Sequence, residues 1–161
     1  MAGVLRFPKL GSEKTLKFYE KPTRDDDESD AEFDARLENF KAYEDVKLTV
    51  KLVSRQAARG WGFRHDAIMA RDKKRVEEKK KAGGGDLFIT QEALTELIEL
   101  QADILKESLV RVSGLEYGGV DLGSIQDVGE VIRILSDIDH LAPAAAAASR
   151  AQSPTPDQVK N

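Results

Sequence analysis

Two histidines, a run of carboxylates and three groups of glycines are the residues of this chain whose types could do chemistry. His65 and His140 are the only imidazoles, and a metal ligand or general base would need partners for them at fixed spacing. They lie in different segments, and neither has a Glu-x-x-His pattern around it. In Arg64-His65-Asp66 the carboxylate reads as a partner for a helix N-terminus. Glu92, Glu96, Glu99 and Asp103 recur on the polar side of an amphipathic stretch, the placement of a solvated face rather than an acid–base pair. A phosphate cradle needs Gly-x4-Gly followed by Lys and Ser or Thr. Gly114 and Gly119 are followed by Val120-Asp121, and Gly83-Gly84-Gly85 by Asp86, whose charge would repel a phosphate. Asp25-Asp26-Asp27-Glu28 fails as a calcium loop because Asp30 stands where Gly is required and Arg36 where the bidentate Glu belongs. The absence of cysteine excludes disulfides, thiolate metal sites and Cys nucleophiles. These spacings predict no catalytic residues, no metal and no cofactor.

Charge is the stronger signal. Residues 47 to 81 carry twelve Lys and Arg against four acids, a local +8 in a chain whose net charge is −4. Such segregation favours charged macromolecules, or other copies of the chain, over a small buried active site. Arg55, Arg59, Trp61, Phe63 and Arg64 interleave guanidinium and aromatic groups as a base-stacking, backbone-tracking surface would, and Lys73, Lys74 and Arg75 extend that footprint. The same residues suit a protein contact. Trp61 and Phe63 then fill a helix junction or, with Leu115, offer apolar surface to a partner, while the lysines pair with acids of the same or another copy. An isoelectric point of about 5.3 weighs against a dedicated nucleic-acid module. Protein partners, including a homo-oligomer, are the leading expectation, with nucleic acid as the alternative. An inhibitor whose acids over 25 to 34 imitate phosphate is a third reading, on charge alone.

The elements that must position these groups read as one mainly α-helical domain of 161 residues, 34% of them charged and 6% aromatic. Residues 1 to 22 form a β-prone segment, with Val4 to Phe7 and Thr15 to Tyr19 as short strands, and 23 to 29 an acidic loop. Ser29-Asp30-Ala31-Glu32 has the form of a capping box, and Phe33, Leu37 and Phe40 follow at helical spacing, predicting a helix over 30 to 44. Val46 to Leu52 alternates like a strand, yet Val46, Val50, Val53 and Ala57 also make a helical stripe, and helix through Ala58 is the expectation. Gly60-Trp61-Gly62 is then a break, 65 to 81 a polar helix, and Gly83 to Gly85 a hinge inside a helical domain spanning 30 to 142. Thr90 caps an amphipathic helix whose apolar face is Leu94, Leu97, Ile98, Leu105, Leu109 and Val112, closed by Gly114 with Leu115 in a Schellman contact. Ser124 starts a second helix through Ile138, so that 91 to 138 reads as an antiparallel helical hairpin. Residues 143 to 161, rich in Ala and Pro, read as a mobile tail.

The run Leu105-Lys106-Glu107-Ser108-Leu109-Val110-Arg111-Val112-Ser113-Gly114-Leu115, with the short helix and Ala/Pro-rich tail after it, resembles the assembly chaperones encoded among the tail genes of long-tailed bacteriophages. The resemblance covers about a third of the chain and includes neither the β-prone N-terminus nor the polar helix over 65 to 81. It implies a non-enzymatic protein without cofactor that holds tape measure and tail tube subunits before polymerisation, or else a virion structural component. The first residues lack the apolar core of a signal peptide, and no run approaches the apolar length of a membrane span. Residence in the cytoplasm where the chain is made, the host cytoplasm for a phage protein, with the virion as a further location, is the expectation, and no membrane contact.

Overall fold

Strict alternation over 46 to 52 ends as a strand because two others are there to pair with it. The computed structural model describes residues 9 to 85 and 88 to 153. In it β1 (Glu13–Lys17), β2 (Lys47–Lys51) and β3 (Leu109–Ser113) form an antiparallel sheet in the order β1-β2-β3. Glu13 faces Lys51 and Lys17 faces Lys47 on one side of β2; Lys47 faces Ser113 on the other, with a bulge at Thr49/Val50. The hydroxyls of Thr15 and Thr49 meet at 2.9 Å across the first pair. Helix over 46 to 54 is therefore corrected, while 55 to 58 are helical as expected. Leu48 and Val50 are fully buried, a gain of about 2 kcal/mol each that a solvated helix could not match. The expected strand at Val4 to Phe7 lies outside the described residues.

Among the described residues there are five α-helices, so the fold is mainly α. Helix α1 (Asp30–Ala42) carries the expected capping box, with Ser29 and Glu32 satisfying each other's backbone amides. Helix α2 (Arg55–Lys81) starts at Ser54 and runs unbroken through Gly60-Trp61-Gly62. A methyl group at Gly60 or Gly62 would meet nothing, so these glycines weaken the helix by about 1 kcal/mol each without interrupting it. Helix α3 (Gln91–Ser108) is capped by Thr90, as expected, but stops at Ser108, where the chain becomes β3. A short hairpin follows, β4 (Glu116–Tyr117) with β5 (Val120–Asp121), turned by Gly118 and Gly119 at positive φ. A 3-10 turn at Leu122–Ser124 leads to α4 (Val128–Asp137), capped by Asp127 rather than Ser124. A strand and a β-hairpin thus separate the two helices expected to form one helical hairpin. Gly114 is no helix cap either. It turns the chain out of β3 with φ +80°, and a Cβ there would lie 2.7 Å from the Asp45 carbonyl oxygen.

The largest correction is α5 (Leu141–Ala151), in the region expected to be a mobile tail. Pro143 sits in its first turn, where no backbone amide is needed. Ala144, Ala145, Ala147, Ala148 and Ala151 are buried. Small side chains dock a helix by letting its backbone approach closely. Helix α5 lies on β1, β2 and α3, α4 on β3 and α3, and α2 packs outermost on α3. At the far end Gln152 receives the Val53 amide at 2.9 Å and donates to the Lys51 carbonyl at 3.2 Å, tying α5 to the end of β2.

Where α5 begins, Phe18, Tyr19, Tyr43 and His140 form an aromatic cluster. The Tyr19 hydroxyl lies 2.6 Å from His140 Nδ1. Burial lowers the His140 pKa, opposed by Asp139, and burial with the neighbouring Tyr43 raises that of Tyr19. No helix among the described residues is long and apolar enough to cross a membrane.

Candidate protein-interaction groove

Helices α2 and α3 meet along a seam of opposite charge, which explains where the basic segment's charge goes. Arg64 reaches Asp103 at 2.9 Å, Arg71 and Arg75 share Glu96, the latter at 3.0 Å, and Lys79 lies 3.6 Å from Glu92. The Arg71 and Arg75 hydrogen bonds hold the Glu96 carboxyl below its usual range, and its own backbone amide, with Lys79, does the same for Glu92. Three of the four carboxylates expected on a solvated face are therefore engaged. Exposed pairs of this kind are screened by solvent and contribute little, so register depends on buried anchors. Trp61 and Ile68 enter the core, and buried Asp72 accepts from the Thr90 amide and hydroxyl at the start of α3. A carboxylate there satisfies orphan donors and complements the helix dipole. Nothing in the sequence pattern distinguishes Asp72 from its charged neighbours.

Beyond the seam, the first three turns of α2 border with α3 and α5 a groove of about 750 Å³. Its floor is apolar, with Leu97, Leu100 and Ile104 from α3 and Ala145 from α5, and Trp61 closes one wall. Alanines on α5 make the space: a larger residue in each position would fill it. Arg55, Arg59 and His65 stand on the α2 rim. On α3 the apolar surface continues past the groove to Leu94 and Ile98, which are 39% and 49% exposed.

The candidate residues of the sequence are scattered by this arrangement. Trp61, expected as exposed partner-binding surface, is 5% exposed and belongs to the core, and its indole N–H has no partner among the described residues. Phe63 is exposed on the outward side of α2, and Leu115 packs half-buried on the core. Of the proposed nucleic-acid contacts, Arg64 and Arg75 are ion-paired to α3, Arg55 and Arg59 border the groove, and Lys73 and Lys74 lie exposed farther along. His65 is exposed beside Asp66, whereas His140 is in the aromatic cluster. The acidic loop is organised by arginines, with Arg36 2.7 Å from Glu28 and Arg24 on Asp30. Among the described residues no group of three His, Asp or Glu is placed to hold a metal ion. The signal for the groove was present in the sequence as the Leu94/Ile98 excess on α3, but its alanine wall was hidden in what read as a tail. No family model, no curated protein and no solved structure matches this chain.

Proposed function

We propose that the protein is a non-enzymatic interaction and assembly factor that holds a partner helix in the groove between α2, α3 and α5. The observation that carries this reading is the groove itself: an apolar floor continuous with exposed Leu94 and Ile98 and bordered by arginines. That pattern suits an amphipathic segment with acidic flanks, anchored by residues at helical spacing. The resemblance of 105 to 115 to phage tail assembly chaperones suggests tape measure and tail tube subunits as the partners. Co-expression with the products of neighbouring genes tests it. A product retained by the wild type and lost by a Leu94→Asp, Ile98→Asp double variant of unchanged melting temperature is expected. Equal retention by both, or by neither, would refute it.

A second reading, nucleic-acid contact, is favoured by one observation. Arg59, Lys73, Lys74, Lys80 and Lys81 are exposed on α2 with no ion-pair partner among the described residues. If they bind a phosphate backbone, affinity for DNA should fall steeply with salt, and Lys73→Ala with Lys74→Ala should flatten that slope. Salt-insensitive binding, or none, disposes of this reading.

A further inference from the structure

We propose that α1 of one copy docks in the groove of a second copy, so that the chain associates head to tail. The inference rests on the reading of the groove as a protein-binding site and commits to its occupant.

Two features of α1 call for a partner. Phe33, Leu37 and Phe40 form an apolar stripe that is only half-buried, and none of the three packs on the hydrophobic core. Arg24 lies over Phe33 at 5.9 Å, and Phe40 lines a shallow pocket with Tyr19 and Pro22. The helix is also acidic. Asp34 and Glu38, one turn apart beside the stripe, are exposed and have no ion-pair partner among the described residues.

The groove offers the complement in shape and charge. Phe33 to Phe40 and Leu97 to Ile104 are both seven-residue steps, each about 10 Å of helix, so a three-residue stripe matches the length of the floor. Arg55 and Arg59 are one turn apart on the rim, as Asp34 and Glu38 are on α1. An i, i+4, i+7 apolar set entering a groove beside matched charges is the ordinary geometry of helix-in-groove recognition.

The occupant comes from another copy because of where α1 is tethered. It leaves the body through Tyr43, held in the aromatic cluster, and Val46, which is buried at the start of β2. The groove opens at Val53, past the other end of that strand, roughly 20 Å away. Helix α1 contributes no residue to its own groove, and reaching it would unseat Tyr43 and Val46. Donor and acceptor surfaces therefore differ within one chain. Such a contact is heterologous and propagates into a ring or filament unless it closes.

Light scattering of the full chain over a wide concentration range tests the proposal with two variants that spare the core. Leu37→Asp spoils the stripe, and Ala146→Glu, at an exposed groove position, spoils the acceptor. Wild type and Leu37→Met should grow in mass with concentration, while each disrupted variant stays monomeric and cooperatively folded. Mixing the two should restore a dimer of twice the monomer mass that grows no further, because one intact stripe meets one intact groove. A wild type monomeric at every concentration, an association that Leu37→Asp leaves intact, or a mixture that stays monomeric would each overturn it. If association fails but capture of a neighbouring gene product still depends on Leu94 and Ile98, only the second-copy inference falls. If both fail, the groove is not a binding site.

Discussion

Helices α1 and α5 reverse the usual relation between apolar side chains and burial. The first has a capping box and a Phe-Leu-Phe stripe at ideal spacing, yet that stripe is only half-buried and no residue of the helix is fully buried. The second has one leucine, a proline and a run of alanines, yet buries six of its eleven residues. The difference is what each can approach. Helix α5 follows α4 after three residues, lies across β1 and β2, and is fastened at its end by Gln152. Helix α1 is held through the acidic loop, where Arg36 pairs with Asp25 and Glu28 and Arg24 with Asp30, through Phe40 beside Tyr19 and Pro22, and through Tyr43. Apolar content gives a helix the capacity to dock; chain connectivity decides whether a surface is within reach.

Four changes probe that contrast, in falling order of effect. Ala148→Asp would place an unpaired carboxylate at a fully buried position on α5 and should cost about 3 kcal/mol or more, read as a lowered denaturant midpoint. An unchanged midpoint would mean that α5 is peripheral. Gln152→Ala should cost about 1 to 3 kcal/mol by leaving the half-buried Val53 amide without its acceptor, and it should loosen the open end of the groove. The third effect is one of pH. Because burial holds the His140 pKa below 6.5, the unfolded chain binds more protons than the native one between the two values. The contribution is complete above pH 6.5 and is lost as pH falls toward the folded value. His140→Gln should flatten the fall in melting temperature over that window. Smallest of all, Leu37→Asp in α1 should cost the monomer no more than about 1 kcal/mol, from helix propensity and partial burial. A large loss there would place α1 in the core and erase the contrast.

Legibility followed the range of the interactions. The Ser29 capping box and the Thr90 cap are satisfied within three residues, and both were readable. Strand β2 was not, because its partners are β1, some thirty residues before it, and β3, some sixty after, and no local window contains them. The same limit made 109 to 113 look like the last turn of α3, since Leu109 and Val112 continue its apolar face; the bonds to β2 redirect them. Gly60 and Gly62 suggested a break because they cost helix stability, but buried Trp61 between them holds the turn. Helix α5 failed on a different assumption, that a docked helix needs large side chains. Of the groove, the α3 floor was written in the spacing of Leu97, Leu100 and Ile104, whereas the α5 wall and the Asp72 anchor depend on residues that only the fold brings together.

Hydrogen exchange of backbone amides, followed by mass spectrometry at two protein concentrations, tests the contrast between α1 and α5 most directly. At high dilution the amides of 145 to 151 should be protected as strongly as those in the centre of α3, while those of 34 to 42 exchange as a weakly held helix does. At high concentration 34 to 42 should become protected together with the groove-lining first turns of α2, 58 to 65, and 145 to 151 should not change in rank. Fast exchange over 145 to 151 at either concentration, or protection of α1 equal to that of α3 already at high dilution, would contradict the account.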